Sequence, residues 1–159
     1  MTQIIRSSIL DSDCYGLVNP INCVGVMGAG LAKQFRDKYP EMFKAYSMAC
    51  GEDKVKVGAV WPWSNYSLYP KPESIKIIIG FPTKNHWRHP SRIEYIETGL
   101  LSLRKYLQRT EMDSVAVPAL GCGLGGLDWN VVESKIAYYL GDLEIRVDVY
   151  PPNGERYTL

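Results

Sequence analysis

The sequence predicts an α/β fold, a mixed or parallel sheet with helices on both faces. Two observations carry this. Strand-length apolar runs alternate with helix-period segments in the order strand, strand, helix, helix, strand, strand, helix, strand, helix, strand. Two glycine-rich stretches, residues 25–30 and 121–126, each lie between a strand and a helix, the place where such folds bind ligands. The chain has 159 residues with no internal repeat, low-complexity tract or compositional break, so one domain over 1–159 is expected.

The elements follow in order. Ile4-Ile5 and Tyr15 to Val18 are short apolar runs of strand length. Leu31 to Tyr39 reads as a helix stopped by Pro40, and Pro40 suits the first turn of a second helix, Glu41 to Ala49, closed by Gly51. Val57 to Trp61 and Ile75 to Ile79 read as strands. Trp63 to Glu73, between them, is the longest expected irregular stretch. Ser91-Arg92-Ile93-Glu94 has the spacing of a capping box. After it Ile93, Ile96, Leu100, Leu103 and Leu107 form one apolar helix face. Ser114 to Pro118 is a strand, Asp128 an N-cap for a helix with Trp129, Val132, Ile136 and Tyr139 on one face, and Ile145 to Tyr150 the last strand.

Composition narrows the class. Hydrophobic residues make up 46% and charged residues 22%, and the formal net charge is +1, so no general nucleic-acid binder is announced, although a local basic patch fits. No apolar stretch reaches the length of about 18 residues that a membrane span needs, and serines and aspartates interrupt the N-terminus where a leader's apolar core would lie. A cytoplasmic protein is expected. Cys14, Cys23, Cys50 and Cys122 form no C-x-x-C pair, so neither a zinc site nor a disulfide framework is indicated.

Three strand-to-helix loops hold chemistry to explain. In the first, 19–32, glycines at 25, 28 and 30 permit left-handed backbone and close approach. Free N–H groups at a helix start then suit a diphosphate, and a tight turn packed under a helix explains the same glycines equally well. The second, 118–129, places four glycines in six residues, more than a plain connector needs, which favours a phosphate or ribose cradle. Its Cys122 reads as a small packed cysteine rather than a nucleophile, since no histidine stands nearby in sequence. The third is GFPTKNHWRHP, residues 80–90. A lone loop lysine is ordinarily solvated. Lys84, however, stands just past a buried strand, where burial or a neighbouring cation such as Arg88 would free its amine for attack. His86 and His89 also read as loop hydrogen-bonders, Trp87 as a lid on the core, and Arg88 as the partner of a surface acid.

Together, VNPINCVGVMGAGLAKQF, GFPTKNHWR followed by SRIEYIETGL, and VPALGCGLGGLDW resemble a macrodomain, the ADP-ribose-binding fold, from about Tyr15 to Tyr150. The FPTK-HWR element is narrower. It is similar to the branch that holds the DarG antitoxin macrodomain and, more distantly, the terminal ADP-ribose glycohydrolase of animals. The resemblance implies a three-layer α/β/α sandwich around a mixed sheet, with ADP-ribose across the strand ends. It places Asn22 at the distal ribose. It puts Val26, Met27, Gly28 and Gly30 in the first substrate loop, and Gly121, Cys122, Gly123, Leu124 and Gly125 in the second, around the diphosphate. Tyr150 falls near the adenine. Lys84 matches the branch's catalytic lysine, whose amine attacks the anomeric carbon of the distal ribose and is released again by hydrolysis of the adduct. His86, Trp87 and Arg88 become candidate substrate contacts.

Two departures stand out. Where many macrodomains have an aspartate that reads adenine, this chain has Ser7-Ser8-Ile9, leaving Asp11 or Asp13 as substitutes. Where the animal enzyme has an acid in the second loop, this chain has Gly125, as the DarG branch does, and the donor of a proton to the leaving group is unassigned. The implied function is an ADP-ribosyl glycohydrolase acting without metal or cofactor on ADP-ribosylated thymine in single-stranded DNA, as an antitoxin or a phage counter-defence protein. A monomer with weak DNA affinity is expected, with Lys33, Lys38, Arg88, Arg92 and Trp87 as a phosphate-and-stacking surface or as a scattered solvated face. Competing readings are an enzyme that processes ADP-ribose 1''-phosphate or O-acetyl-ADP-ribose, a reader that binds ADP-ribose without turnover, and a structural nucleotide-binding domain.

Overall fold

The protein is described here from a computed structural model that covers residues 2–65 and 76–152. The chain runs through β1 (Thr2–Ile4), a 3-10 turn (Ile9–Asp11), β2 (Gly16–Ile21), α1 (Gly30–Lys38), α2 (Pro40–Gly51), β3 (Trp61–Ser64), β4 (Ile77–Pro82), α3 (Ile93–Thr110), β5 (Ser114–Val117), α4 (Trp129–Leu140) and β6 (Arg146–Val149). The strands form one sheet in the order β1-β6-β5-β2-β4-β3. Every neighbouring pair is parallel except β3 with β4, so the sheet is mixed, as expected.

The strand period of two sorts the core into two layers. Val18, Ile79, Val115, Val117, Val147 and Val149 face Ile96, Leu100 and Leu103 of α3 and Val132, Ile136 and Leu140 of α4. Leu17, Ile78 and Ala116 face the other way, onto Phe35 of α1 and Met42, Tyr46 and Ala49 of α2. Helices therefore cover both faces, giving the three-layer α/β/α arrangement. No described helix is long and apolar enough to cross a membrane.

The sheet opens where the site lies. β2 pairs with β4 along its whole length, from Gly16↔Ile77 to Ile21↔Pro82, but with β5 only at Gly16 and Leu17. That explains how Pro20, which lacks an N–H, sits inside a parallel strand: beyond Leu17 one side of β2 has no partner strand. After β2 the chain moves towards β4 and β3; after β5 it moves towards β6. The crevice between the carboxyl ends of β2 and β5 is thus the point where strand order reverses, and the two glycine loops flank it.

Local expectations fail in two places. The strand expected at Val57 to Trp61 begins only at Trp61, because Gly58 takes φ +88° and the Ala59 N–H closes a turn on the Lys56 carbonyl (3.3 Å). The capping box at Ser91 does not form. Arg92 is the N-cap of α3, no side chain caps it, and Ser91 is buried instead. Of the expected irregular stretch, Trp63 and Ser64 belong to β3, while 66–73 lie outside the described residues, as does Ile75 of the expected fourth strand.

Candidate active site

β2 delivers Asn22 to the crevice, and there its side chain organises the first loop. Asn22 Oδ1 accepts the Val24 N–H (3.0 Å), the Val26 N–H (3.4 Å) and the Tyr46 hydroxyl (2.8 Å), while Nδ2 donates to the Val26 carbonyl (2.7 Å). Tyr46, fully buried on α2, also reaches the Asn22 carbonyl (2.8 Å), and burial pushes its phenol pKa far above the ordinary tyrosine value. Nδ2 keeps one N–H beyond these bonds, and that is what this side chain can offer a ligand.

The rest of the first loop offers backbone. Gly25 and Gly30 take left-handed φ; Gly28, against expectation, does not. Ala29, the N-cap of α1, makes no side-chain cap bond, and among the described residues the N–H groups of Gly28, Ala29 and Gly30 make no intramolecular hydrogen bond. An uncapped helix start with free donors is an anion site in waiting. Met27 is 1% exposed and packs in the layer under α1 and α2, so it presents only its backbone. Val24 and Val26 remain exposed beside it.

The second loop repeats the design. Turn bonds fold it on itself, Cys122 N to Ala119 O (3.1 Å), Gly126 N to Gly123 O (3.2 Å) and Leu127 N to Gly121 O (2.9 Å). The N–H groups of Gly123, Leu124 and Gly125 make no intramolecular bond among the described residues, which makes them a cradle for an anion. Leu124 is 75% exposed. Cys122 is buried, its thiol bonded to the Leu120 carbonyl (3.4 Å), and burial pushes its pKa up to about 12. It is a packed cysteine and not a nucleophile. α4, unlike α1, is closed to anions: Asp128 caps it through the Asn130 N–H (2.8 Å), as expected.

Lys84 stands between two ties to the first loop. The Thr83 N–H donates to Ile21 O (2.9 Å), extending the β2–β4 ladder one step, and the Cys23 N–H donates to Asn85 O (3.2 Å). The half-buried lysine is therefore fixed at the same sheet edge as Asn22. Its Nζ makes one weak contact, to the Trp87 carbonyl (3.5 Å), and among the described residues it makes no ion pair. Beyond it, His86 stacks on Trp87 with centroids 5.6 Å apart, and Arg88 lies over the Trp87 ring at 4.7 Å rather than against an acid. Trp87 is 46% exposed, so it does not lid the core. His86 Nδ1 accepts the Arg88 N–H (3.1 Å), which leaves Nε2 facing outward as the donor.

The residues expected near adenine differ in access. Tyr150 follows β6 and is 6% exposed, with its phenol raised by burial. Asp13 is not available there. It pairs with Arg146, which opens β6 at the opposite edge of the sheet and also binds Asp148 (3.1 Å), and this guanidinium holds the Asp13 carboxyl below the usual range. Asp11, itself exposed, ends the 3-10 turn after β1. A separate groove of about 470 Å³ between α3 and the β3 edge, lined in part by Val60, Leu101, Lys105 and Arg109, holds none of these residues.

The family model for the macro domain matches residues 18–136, the span from β2 into α4 that carries all three loops. This chain is a macrodomain. Among its relatives is a DNA ADP-ribosyl glycohydrolase of Mycobacterium tuberculosis, 44% identical over 147 residues, which are 92% of this chain and 41% of that protein. The structure of the macrodomain of Mycobacterium tuberculosis DarG superposes with a TM-score of 0.90 at 42% identity, over 96% of this chain and 98% of that one. Thermosipho africanus DarTG in complex with ADP-ribose gives 0.87 at 34% identity, over 95% of this chain and 41% of that one. The macrodomain thus spans about two fifths of the length of the curated relatives it matches. Sequence reasoning missed two of its parts. Tyr46 carried no signal beyond a place on an apolar helix face. Ser91 carried a misleading one, since its cap spacing hides a hydroxyl buried against the second loop.

Proposed function

We propose that this macrodomain is an ADP-ribosyl glycohydrolase that removes single ADP-ribose groups, with ADP-ribosylated thymine in single-stranded DNA as its substrate. The observation that carries the reading is the placement of Lys84: a lysine outside any ion pair among the described residues, fixed at the sheet edge beside two loops with open N–H groups. The names of the relatives support the same chemistry. The Gly28–Gly30 and Gly123–Gly125 amides bind the diphosphate, and Asn22 turns its remaining N–H to the distal ribose. The Lys84 amine then attacks the anomeric carbon. Its lone pair forms the new C–N bond, the electrons of the broken glycosidic bond leave with the base, and the proton shed by the new C–N ammonium neutralises that base. Water cleaves the lysyl–ribose adduct, releasing ADP-ribose and restoring the amine. No metal or cofactor takes part in these steps. Cytoplasmic location and a monomeric state accompany the proposal.

Single-turnover assays test it. A short oligonucleotide carrying ADP-ribosyl-thymidine, and in parallel an ADP-ribosyl-glutamate protein, are mixed with wild type or Lys84→Ala, and ADP-ribose release is followed by chromatography. Release from DNA by wild type, lowered by about 10³-fold or more in Lys84→Ala while ADP-ribose affinity stays within about threefold, is the expected result. Binding without release from either substrate sinks the glycohydrolase reading.

A further inference from the structure

Ser91 is 6% exposed, and its Oγ has no hydrogen-bond partner among the described residues. Such orphans are rare in folded proteins, because a buried hydroxyl without a partner is costly. This one is not in an arbitrary place. The Ser91 N–H donates to Gly125 O (3.1 Å), and the side chain fits into the hollow of the second loop. The point where a Cβ would stand at Gly125 is 2.3 Å from Ser91 Oγ and 2.5 Å from Gly121 O. At Gly121 the same test meets Ser91 Cβ at 3.1 Å and Oγ at 3.3 Å. The hydroxyl and the Gly121 carbonyl therefore both border Gly125, with no bond between them. Among the described residues that carbonyl accepts the Leu127 N–H, which leaves it a second lone pair.

We infer that Ser91 is a positioning residue that locks the second loop around bound ligand, its hydroxyl donating to the Gly121 carbonyl only in the bound arrangement. This rests on the reading above, in which the loop holds a diphosphate. Turning the Gly123, Leu124 and Gly125 amides onto an anion rotates the peptides that carry them, and glycines allow that rotation without side-chain clashes. The free protein then carries an unpaired hydroxyl and the bound one does not, so the bond strengthens ligand binding at the expense of unliganded stability. The role is distinct from that of Lys84: the loop holds the diphosphate alike before and during glycoside cleavage, so losing the bond weakens binding and not chemistry.

The test is Ser91→Ala in the full chain, compared with wild type. The melting temperature of the unliganded variant is expected to hold or to rise by about 2–4 °C, since an unpaired buried hydroxyl has been removed. Its Kd for ADP-ribose and its KM are expected to rise about tenfold, with kcat within about twofold. A lower melting temperature together with weaker binding means an ordinary structural serine and overturns the inference, as does an unchanged Kd. If wild type fails to bind ADP-ribose, the functional reading itself falls, and this inference with it. A wild-type crystal structure with ADP-ribose decides independently of the variant: Ser91 Oγ at about 2.8 Å from Gly121 O supports the lock, and two oxygens left unbonded refute it.

Discussion

A single phenol keeps the first loop in shape. Tyr46 binds both oxygens of Asn22, so removing its hydroxyl frees the Asn22 side chain. Tyr46→Phe is expected to cost about 1–2 kcal/mol in denaturant unfolding and to weaken ADP-ribose binding, without touching the chemical step in single turnover. The variant also has a pH signature. Burial raises the folded phenol's pKa above its unfolded value, so the stabilisation is complete below about pH 10, where the unfolded tyrosine titrates, and is lost as pH rises beyond it. Unfolding curves of wild type and Tyr46→Phe should therefore converge on the alkaline side. Tyr46 could not be read from sequence, because a tyrosine on an apolar helix face is ordinarily core; its partner Asn22 could, through the strand end that carries it. Lys84 could be placed, because a strand end fixes where the next few residues go.

At the scale of an element, the second loop is defined by what its glycines exclude. Gly125→Ala puts a methyl against Ser91 Oγ and the Gly121 carbonyl, and the backbone oxygen cannot yield as a side chain would. We expect a loss of about 1–3 kcal/mol in thermal or chemical unfolding and a loss of ADP-ribose binding larger than that of Ser91→Ala. The excess of glycines in this loop was legible, since a connector has no reason to give up so much entropy, and so was the Asp128 cap that ends it. The Ser91 cap was not. The same S-x-x-E spacing serves a helix start or a buried plug, and only the neighbouring loop decides between them. The misplaced start of β3 has a similar cause. Val57 to Trp61 looks extended, and the left-handed turn at Gly58 is invisible in an apolar pattern.

Across the whole molecule, function collects where the sheet comes apart. β2 and β5 part after two paired residues, and each supplies one loop, while β4 supplies the lysine. The alternation of strands and helices made this layout legible; the opening itself was not, because it depends on how far β5 runs. Around the crevice the charges are mixed: Lys33 is paired with Asp37, whereas Arg88 rests on Trp87. Affinity for an unmodified single-stranded oligonucleotide should accordingly be weak and fall as salt rises, with a shallow slope, in fluorescence anisotropy from about 50 to 200 mM salt. Tight binding that ignores salt would count against DNA as the substrate.

The contact between Ser91 and Gly125 also constrains ancestry and redesign. A carboxylate in this loop, the arrangement the animal branch is expected to use, is reached from here by one substitution at 125 only with strain, since any side chain there meets a hydroxyl and a carbonyl at once. A permissive change at 91 and a new path for the backbone at 121 would relieve it. An acid at 125 therefore disturbs the packing of the loop before it adds any chemistry, and attempts to graft one onto this macrodomain should begin with the serine.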